Sequence, residues 1–316
     1  MSTSPSDLAH PTSSITAHPL FVPRRFFRLA SALTTSFYAL MVEYRVEIIL
    51  WGIATSLPLI MMGVWSEAAG TGEFTLDRVG MIRYFLAVFI VRQFTVVWVI
   101  HDFEWHVVSG RLTPFLIAPL DPWWRFFFIH VAEQLCRLPI VIALLAGSLL
   151  LFPEALWGDG ETHGFWTPSW DRVALAAVAT YLGFILRWWM QYAMAMGAFW
   201  LERVSSAHDL LFLPYLFLSG MVFPLGELSN RLPESATFLG VTLPLGSLAY
   251  EITMLTPFPY MLWFPAILIS TEGDAALGGV SITRAFVTLL IWIGLMIALQ
   301  RYLWRLGTRH YSAMGA

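Results

Sequence analysis

Long apolar runs separated by short polar stretches fill the chain from residue 46 onward, and six of them approach the roughly 20 residues that a helix needs to cross a bilayer. They cover residues 46–66, 81–100, 127–152, 173–201, 209–226 and 283–303. The pattern ahead of the first run differs. In PRRFFRLASALTTSFYALMVEYR, Pro23 stands at a helix start, and Phe26, Phe27, Leu29, Leu33, Phe37 and Leu40 recur at helical spacing beside arginines. That suits a helix lying in a membrane interface, with a longer first span as the alternative. Between the last two runs, residues 227–282 are too apolar for a free loop, yet Pro233, Pro244, Pro257, Pro259 and Pro265 break them into pieces too short to cross. Such pieces predict re-entrant or interfacial helices rather than a seventh and eighth span, their free backbone groups covered by protein or water.

Composition then decides the solvent. With 58% hydrophobic and 12% charged residues, a chain of 316 residues has too little polar surface for an ordinary soluble domain. The expected fold class is all-α integral membrane: six transmembrane helices, an N-terminal cytoplasmic interfacial helix, and re-entrant or interfacial external helices between spans 5 and 6. Residues 1–22 are rich in Ser, Thr and Pro and lack the basic region and apolar core of a signal peptide. They read as a disordered tail, leaving 23–316 as one transmembrane domain.

Charge placement gives an orientation. All 18 basic residues are arginine, which excludes a P-loop, whose lysine must reach the phosphates. No nucleotide-hydrolysing site of its own is therefore expected, and the chain reads as a non-enzyme. Six spans put both termini on one side. Placing them in the cytoplasm assigns ten arginines inside (24, 25, 28, 45, 111, 125, 203, 301, 305 and 309) against five outside (78, 83, 172, 231 and 284), as the positive-inside rule prefers. The lone Cys136 has no intrachain partner and reads as a packing residue.

One polar island interrupts the apolar pattern. The stretch HDFEWHVVSGRLTPFLIAPLDP, residues 101–122, joins spans 2 and 3 on the cytoplasmic side. Its first half predicts a short amphipathic helix closed by Gly110, and Pro114, Pro119 and Pro122 prevent a long helix through the second. Phe103, Trp105, Leu112, Phe115 and Leu116 are then expected to protrude towards a soluble partner. The crowding of His101, Asp102, Glu104 and His106 does not follow a His-Glu-x-x-His spacing, so no metal site is expected. A Gly-x-Ser-x-Gly elbow and the basic patch of a nucleic-acid binder are both missing.

Ionisable and amide side chains also lie deep in the runs, where they are expensive and turn inward. Arg92 and Gln93 fall in the second, Glu133, Gln134 and Arg137 in the third, and Arg187 and Gln191 in the fourth. Glu133 and Arg137, four apart, can pair on one helical face. The set reads equally as a polar lining for an amphipathic substrate, with Arg92 or Arg187 meeting an anionic headgroup, or as interhelical hydrogen bonds. Gly183, Ala193 and Gly197 read as close-packing positions.

Several short motifs, taken in order, resemble the permeases of ABC-2 type transporters. SGRLTPFLIAPLDP after the acidic helix is similar to the first cytoplasmic loop of that family. GAFWLERVSSAHDL resembles an Ala-Phe-Trp turn of a six-span, poorly characterised branch. The residues Ser219, Gly220, Pro224, Leu232, Pro233 and Pro244 follow the family's signature after span 5, and LWRLGTRHYSAMGA is similar to its Gly-Arg-Tyr tail. The resemblance implies a permease subunit of the bacterial cytoplasmic (inner) membrane that exports a lipid-like, peptide or glycan substrate. A separate ATP-binding cassette subunit would carry ATP and Mg2+, and a second, related permease would complete a heterodimer rather than a homodimer. It implies that His101, Asp102, Glu104, Trp105, Gly110, Arg111 and Leu112 form the element that couples to the ATPase. It also places Gly220, Pro224, Pro233 and Pro244 in an external cap over the path. Two rivals stand beside it: an ion- or proton-coupled secondary transporter using Glu133 and the buried arginines, and a membrane enzyme acting on lipid.

Overall fold

Apolar helices in lipid satisfy their own backbone, so the breaks between them mark where side chains or neighbouring segments must take over. In the computed structural model, which describes residues 23–70, 74–160, 162–231, 236–238, 241–243, 245–270 and 280–311, the chain begins with α1 (Pro23–Glu43). The first span consists of α2 (Arg45–Ala54) and α3 (Leu57–Ala69), interrupted at Thr55 and Ser56, just before Pro58. The second opens as α4 (Arg78–Thr95), whose first turn is capped by the Asp77 carboxylate accepting from the Gly80 amide at 3.0 Å. It breaks at residues 96–98 and resumes as α5 (Val99–Val108), followed by the single turn α6 (Thr113–Leu116). The third is α7 (Pro122–Leu151), with Pro122 in its first turn, and a short α8 (Glu154–Trp157) follows. The fourth is α9 (Trp170–Ala195), which tightens into a 3-10 turn at Met196–Phe199.

After α10 (Ser205–Leu218) come α11 (Gly226–Arg231) and an antiparallel pair of short strands, β1 (Ala236–Phe238) and β2 (Val241–Leu243), with Thr237 opposite Thr242. Next are α12 (Leu245–Leu255), a 3-10 turn at Phe258–Met261, α13 (Trp263–Ser270) and the last span, α14 (Ile282–His310). Among the described residues, five stretches are helical, long and apolar enough to cross a membrane: 45–69, 78–108, 122–151, 170–199 and 282–310. The protein has the make-up of a multi-pass, mainly α membrane protein, and the strand pair is the one departure from the all-α expectation.

The fifth expected span, 209–226, is not a continuous helix. Pro214 lies inside α10, the helix stops at Leu218, and Gly220 then adopts φ 79°. Its two ends nonetheless meet residues at opposite ends of the second span. At one end, here the lower, the Ser205 amide bonds the Glu104 carboxylate of α5, and at the other, the upper, the Thr75 amide donates to Glu227. Halfway, the Trp263 amide donates to the Ser219 carbonyl at 3.0 Å, so the start of α13 satisfies the frayed end of α10.

Expected re-entrant pieces occupy residues 245–270. α12 descends beside the upper half of α14, tied by Arg284–Glu251 at 3.0 Å and by the Trp292 indole donating to the Leu255 carbonyl at 3.1 Å. α13 returns between α4 and α9, and its upper end is met by the Trp166 indole at the Ile269 carbonyl. Trp263, Phe264 and Leu268 are fully buried there, with Tyr84 and Phe85. Gly183 lets this segment come close, because a Cβ on it would sit 2.9 Å from the Tyr260 carbonyl oxygen. The helix expected at the interface, α1, runs lengthwise beside the lower part of α7. Phe26 packs edge-on to Trp124, Phe37 is buried with Phe128 and Ala132, and the Cys136 thiol donates to the Tyr38 carbonyl at 3.9 Å. The first and last described residues share the lower end, since Tyr311 of the C-terminal segment meets Thr113.

Candidate functional site

The lower half of the bundle gathers most of the polar side chains singled out in the sequence, and it is organised around the break in the second span. Over residues 96–98 the backbone is not helical, so groups at both sides of the break need partners. α7 supplies them. The Gln134 amide donates to the Phe94 carbonyl at 2.6 Å, and His130 Nε2 accepts from the Trp98 amide at 2.9 Å. The other ring nitrogen of His130 lies 2.7 Å from the Phe126 carbonyl. An accepting Nε2 makes Nδ1 the donor, so this arrangement holds His130 as the neutral ring. The span and the short helix below it are thus joined through side chains of a neighbour.

Beneath the break, α5 is tethered on its far side to α10. Glu104 accepts from the Ser205 amide at 2.6 Å and from its hydroxyl at 3.0 Å. A carboxylate at a helix N-terminus both satisfies an orphan amide and complements the helix dipole. Asp102 pairs with His106 at 3.3 Å. Gly110, at φ 70°, closes α5 and turns the chain, and the Arg111 guanidinium lies 4.7 Å from the centre of the Trp105 ring.

Beside the break lies a cavity of about 530 Å³ between α1, α2, α5 and α7. Its apolar wall is made by Met41, Tyr44, Ile48, Trp51, Trp98 and Ile129, with the two indoles 4.8 Å apart and tilted by 51°. Its polar groups are Glu47, His101, Asp102, His130 and Glu133. The volume falls within the range of small-molecule sites.

Buried arginines sit deeper. Arg187 donates to the Tyr215 hydroxyl of α10 at 2.5 Å, with its guanidinium 4.3 Å from that ring's centre. Arg92 reaches the same hydroxyl at 3.5 Å and the Thr55 carbonyl at 3.3 Å, and Gln93 bonds the Thr55 hydroxyl at 3.0 Å. Arg137, fully buried, pairs with Glu133 at 3.0 Å. Gln191 approaches His208 at 3.5 Å, while its own Oε1 has no partner among the described residues.

The sequence expectations fare unevenly. Of the seven deep polar residues, only Glu133 lines the cavity, and Gln134 is engaged by the Phe94 carbonyl. Arg92, Gln93, Arg187 and Gln191 bridge helices, and Arg137 pairs within its own helix, so no arginine meets that space. The expectation of a row of protruding side chains in 101–122 is corrected for Phe103 and Leu112, whereas Trp105 and Leu116 are exposed and Phe115 is half-buried. Phe103 and Leu112 are fully buried in an aromatic cluster with Phe126, Tyr192 and Phe199, because the turn at Gly110 folds the chain back onto the bundle. Trp105 remains half exposed and Ile117 is 83% exposed. Gly220 lies at mid-bundle against Tyr84 and Trp263, and Pro224 is buried near the upper end; Pro233 and Pro244 fall outside the described residues. Among the described residues, no group of three or more His, Cys, Asp or Glu is arranged to hold a metal ion.

Sequence reasoning passed over Thr55, Trp51, Trp98, His130 and Tyr215. A hydroxyl or indole within an apolar run looks like packing, and only the neighbour it meets gives it a role. No protein family, no curated protein and no solved structure matches the chain.

Proposed function

We propose that this chain is the membrane permease subunit of an ATP-driven exporter of the ABC-2 type, moving an amphipathic substrate with energy supplied by a separate ATPase. The observation that carries the reading is the position of α5. This short lower-end helix is attached to the second span through a non-helical joint and to α10 through Glu104 and Ser205. A push on α5 from a soluble partner would therefore reach two crossing segments at once, which is the kind of bistable element that switching proteins use. ATP and Mg2+ would reside on that partner. Exposed apolar faces on α2 and α10, including Val46, Leu50, Leu210 and Leu213, suit lipid or a second permease.

A second reading, an ion-coupled carrier, draws on the Glu133–Arg137 pair at the cavity edge. Transport that survives ATP depletion but stops when the proton gradient is collapsed would favour it.

The decisive experiment is recovery of the tagged chain from its native membranes. A nucleotide-binding subunit is expected to co-purify with the unaltered chain and to be lost when Trp105→Glu and Ile117→Glu are combined. Both side chains are exposed, so the variant tests docking rather than folding. Leu112, being buried, is unsuitable for that purpose. Recovery of the chain without any ATPase, or unchanged recovery with the double variant, would overturn the proposal.

A further inference from the structure

The cavity beside the break has a charge character opposite to the one expected for an anion-handling permease. Three carboxylates, Glu47, Asp102 and Glu133, face it, and no arginine lines it. Glu133 is offset by Arg137 and Asp102 by His106, whereas Glu47 makes no hydrogen bond or ion pair with any described residue. His130 brings no positive charge, since both ring nitrogens are engaged in the way that requires the neutral form. The remaining wall is aromatic and aliphatic, with Trp51 and Trp98 set at an angle and Tyr44 alongside.

We infer that this cavity binds an organic cation, a quaternary or protonated amine or its phosphonium equivalent carried on an apolar body. Indole faces attract cations through the ring quadrupole, and such aromatic walls are the common way to hold ammonium groups that cannot donate several hydrogen bonds. An unpaired carboxylate at the rim supplies the long-range attraction, and the aliphatic part takes the ligand's body. An anion would meet the Glu47 carboxylate, which has no ion-pair partner among the described residues, in a cavity that no arginine lines. Arg92 and Arg187 are committed to Tyr215 and Thr55 elsewhere in the bundle. As a statement about binding the inference stands apart from the export reading; that the cation is cargo rests on that reading.

Tetraphenylphosphonium and tetraphenylborate, alike in shape and opposite in charge, provide the test. The full chain is placed in nanodiscs of phosphatidylethanolamine and phosphatidylglycerol, and uptake by equilibrium dialysis is compared with that of empty discs of the same composition. Saturable excess binding is expected for the phosphonium and not for the borate. Trp51→Ala is expected to weaken it about three- to thirtyfold, with Trp51→Phe recovering part of the loss. Glu47→Gln is expected to weaken it about three- to fivefold. Both positions are exposed on α2, so neither change removes a buried support of the fold. Repeating the assay in phosphatidylcholine discs separates two sources of the same chemistry. Loss of phosphonium binding there assigns the site to a choline headgroup, and unchanged binding assigns it to a free cation. Equal saturable binding of both ions, no excess over empty discs, or indifference to both Trp51→Ala and Glu47→Gln would overturn the inference. Failure of ATPase recovery alone would leave this result intact, so the two proposals fail separately.

Discussion

Two interrupted segments lie side by side in this bundle, and they are closed in different ways. In the second span, the gap at residues 96–98 is bridged by side chains of α7: His130 holds the Trp98 amide and Gln134 the Phe94 carbonyl. In the 205–227 segment, the gap at Ser219 and Gly220 is closed by one backbone and one fully buried side-chain donor, the Trp263 amide on the Ser219 carbonyl and the Tyr84 hydroxyl on the Gly220 carbonyl. Side-chain bridges turn about several torsions and can be exchanged for water, and this one stands beside a cavity. Closure by the Trp263 backbone and the fully buried Tyr84, away from that cavity, leaves no such freedom. The first gap has the build of a joint, the second that of a pin, and the tethered helix α5 hangs from the joint.

The largest way to break the comparison is at the pin. Gly220 has φ 79°, and a Cβ there would lie 2.9 Å from the Trp263 Cβ. Gly220→Val combines backbone strain with overpacking and is expected to destabilise the protein by about 2–5 kcal/mol, read as a large fall in thermal midpoint in detergent. Tolerance of valine would show that the two gaps are alike. Next is Tyr215→Phe, which removes the one hydroxyl shared by Arg92 and Arg187 and is expected to cost about 1–3 kcal/mol in the same measurement.

The joint should respond less and more locally. His130→Ala is expected to cost about 1 kcal/mol, with faster amide exchange confined to residues 96–100 and little change in the midpoint. A global loss as large as that of Gly220→Val would mean that the joint is rigid after all. Smallest is Glu104→Gln, which keeps an acceptor for Ser205 but loses the charge facing the α10 N-terminus. About 0.5 kcal/mol is expected, visible as increased exchange in the first turn of α10 and not elsewhere.

How far the site could be read in advance depended on whether its logic was local. Glu133 with Arg137 is an i, i+4 pair within one helix, and periodicity alone foretold it. The closing of α5 at Gly110 was equally local, being a turn chemistry that glycine permits. The fate of Leu112 was not. Leu112 lies two residues after Gly110, and whether it faces water or the Phe103–Phe126 cluster depends on how the chain folds back, which spacing does not encode. The fifth span shows the same division. Its apolar content predicted a spanning helix, but the helix found there runs only over Ser205–Leu218 and ends before Gly220, at φ 79°. Whether such a short helix could stand depended on the arrival of Trp263 from 44 residues further along.

What the sequence determined by itself is the solvent and the scaffold: apolar runs of bilayer length, punctuated by proline and glycine, yield a multi-pass helical bundle because backbone groups in lipid must pair internally. The tertiary structure alone decided the rest. It sent Arg92 and Arg187 to Tyr215 instead of an open space, made His130 the support of a broken span, and set Glu47 beside two indoles on the wall of one cavity. The reason is physical. The hydrophobic pattern is a property of each helix, but a hydrogen bond, an ion pair or a cavity is made by residues far apart in the chain and exists only once the helices have packed.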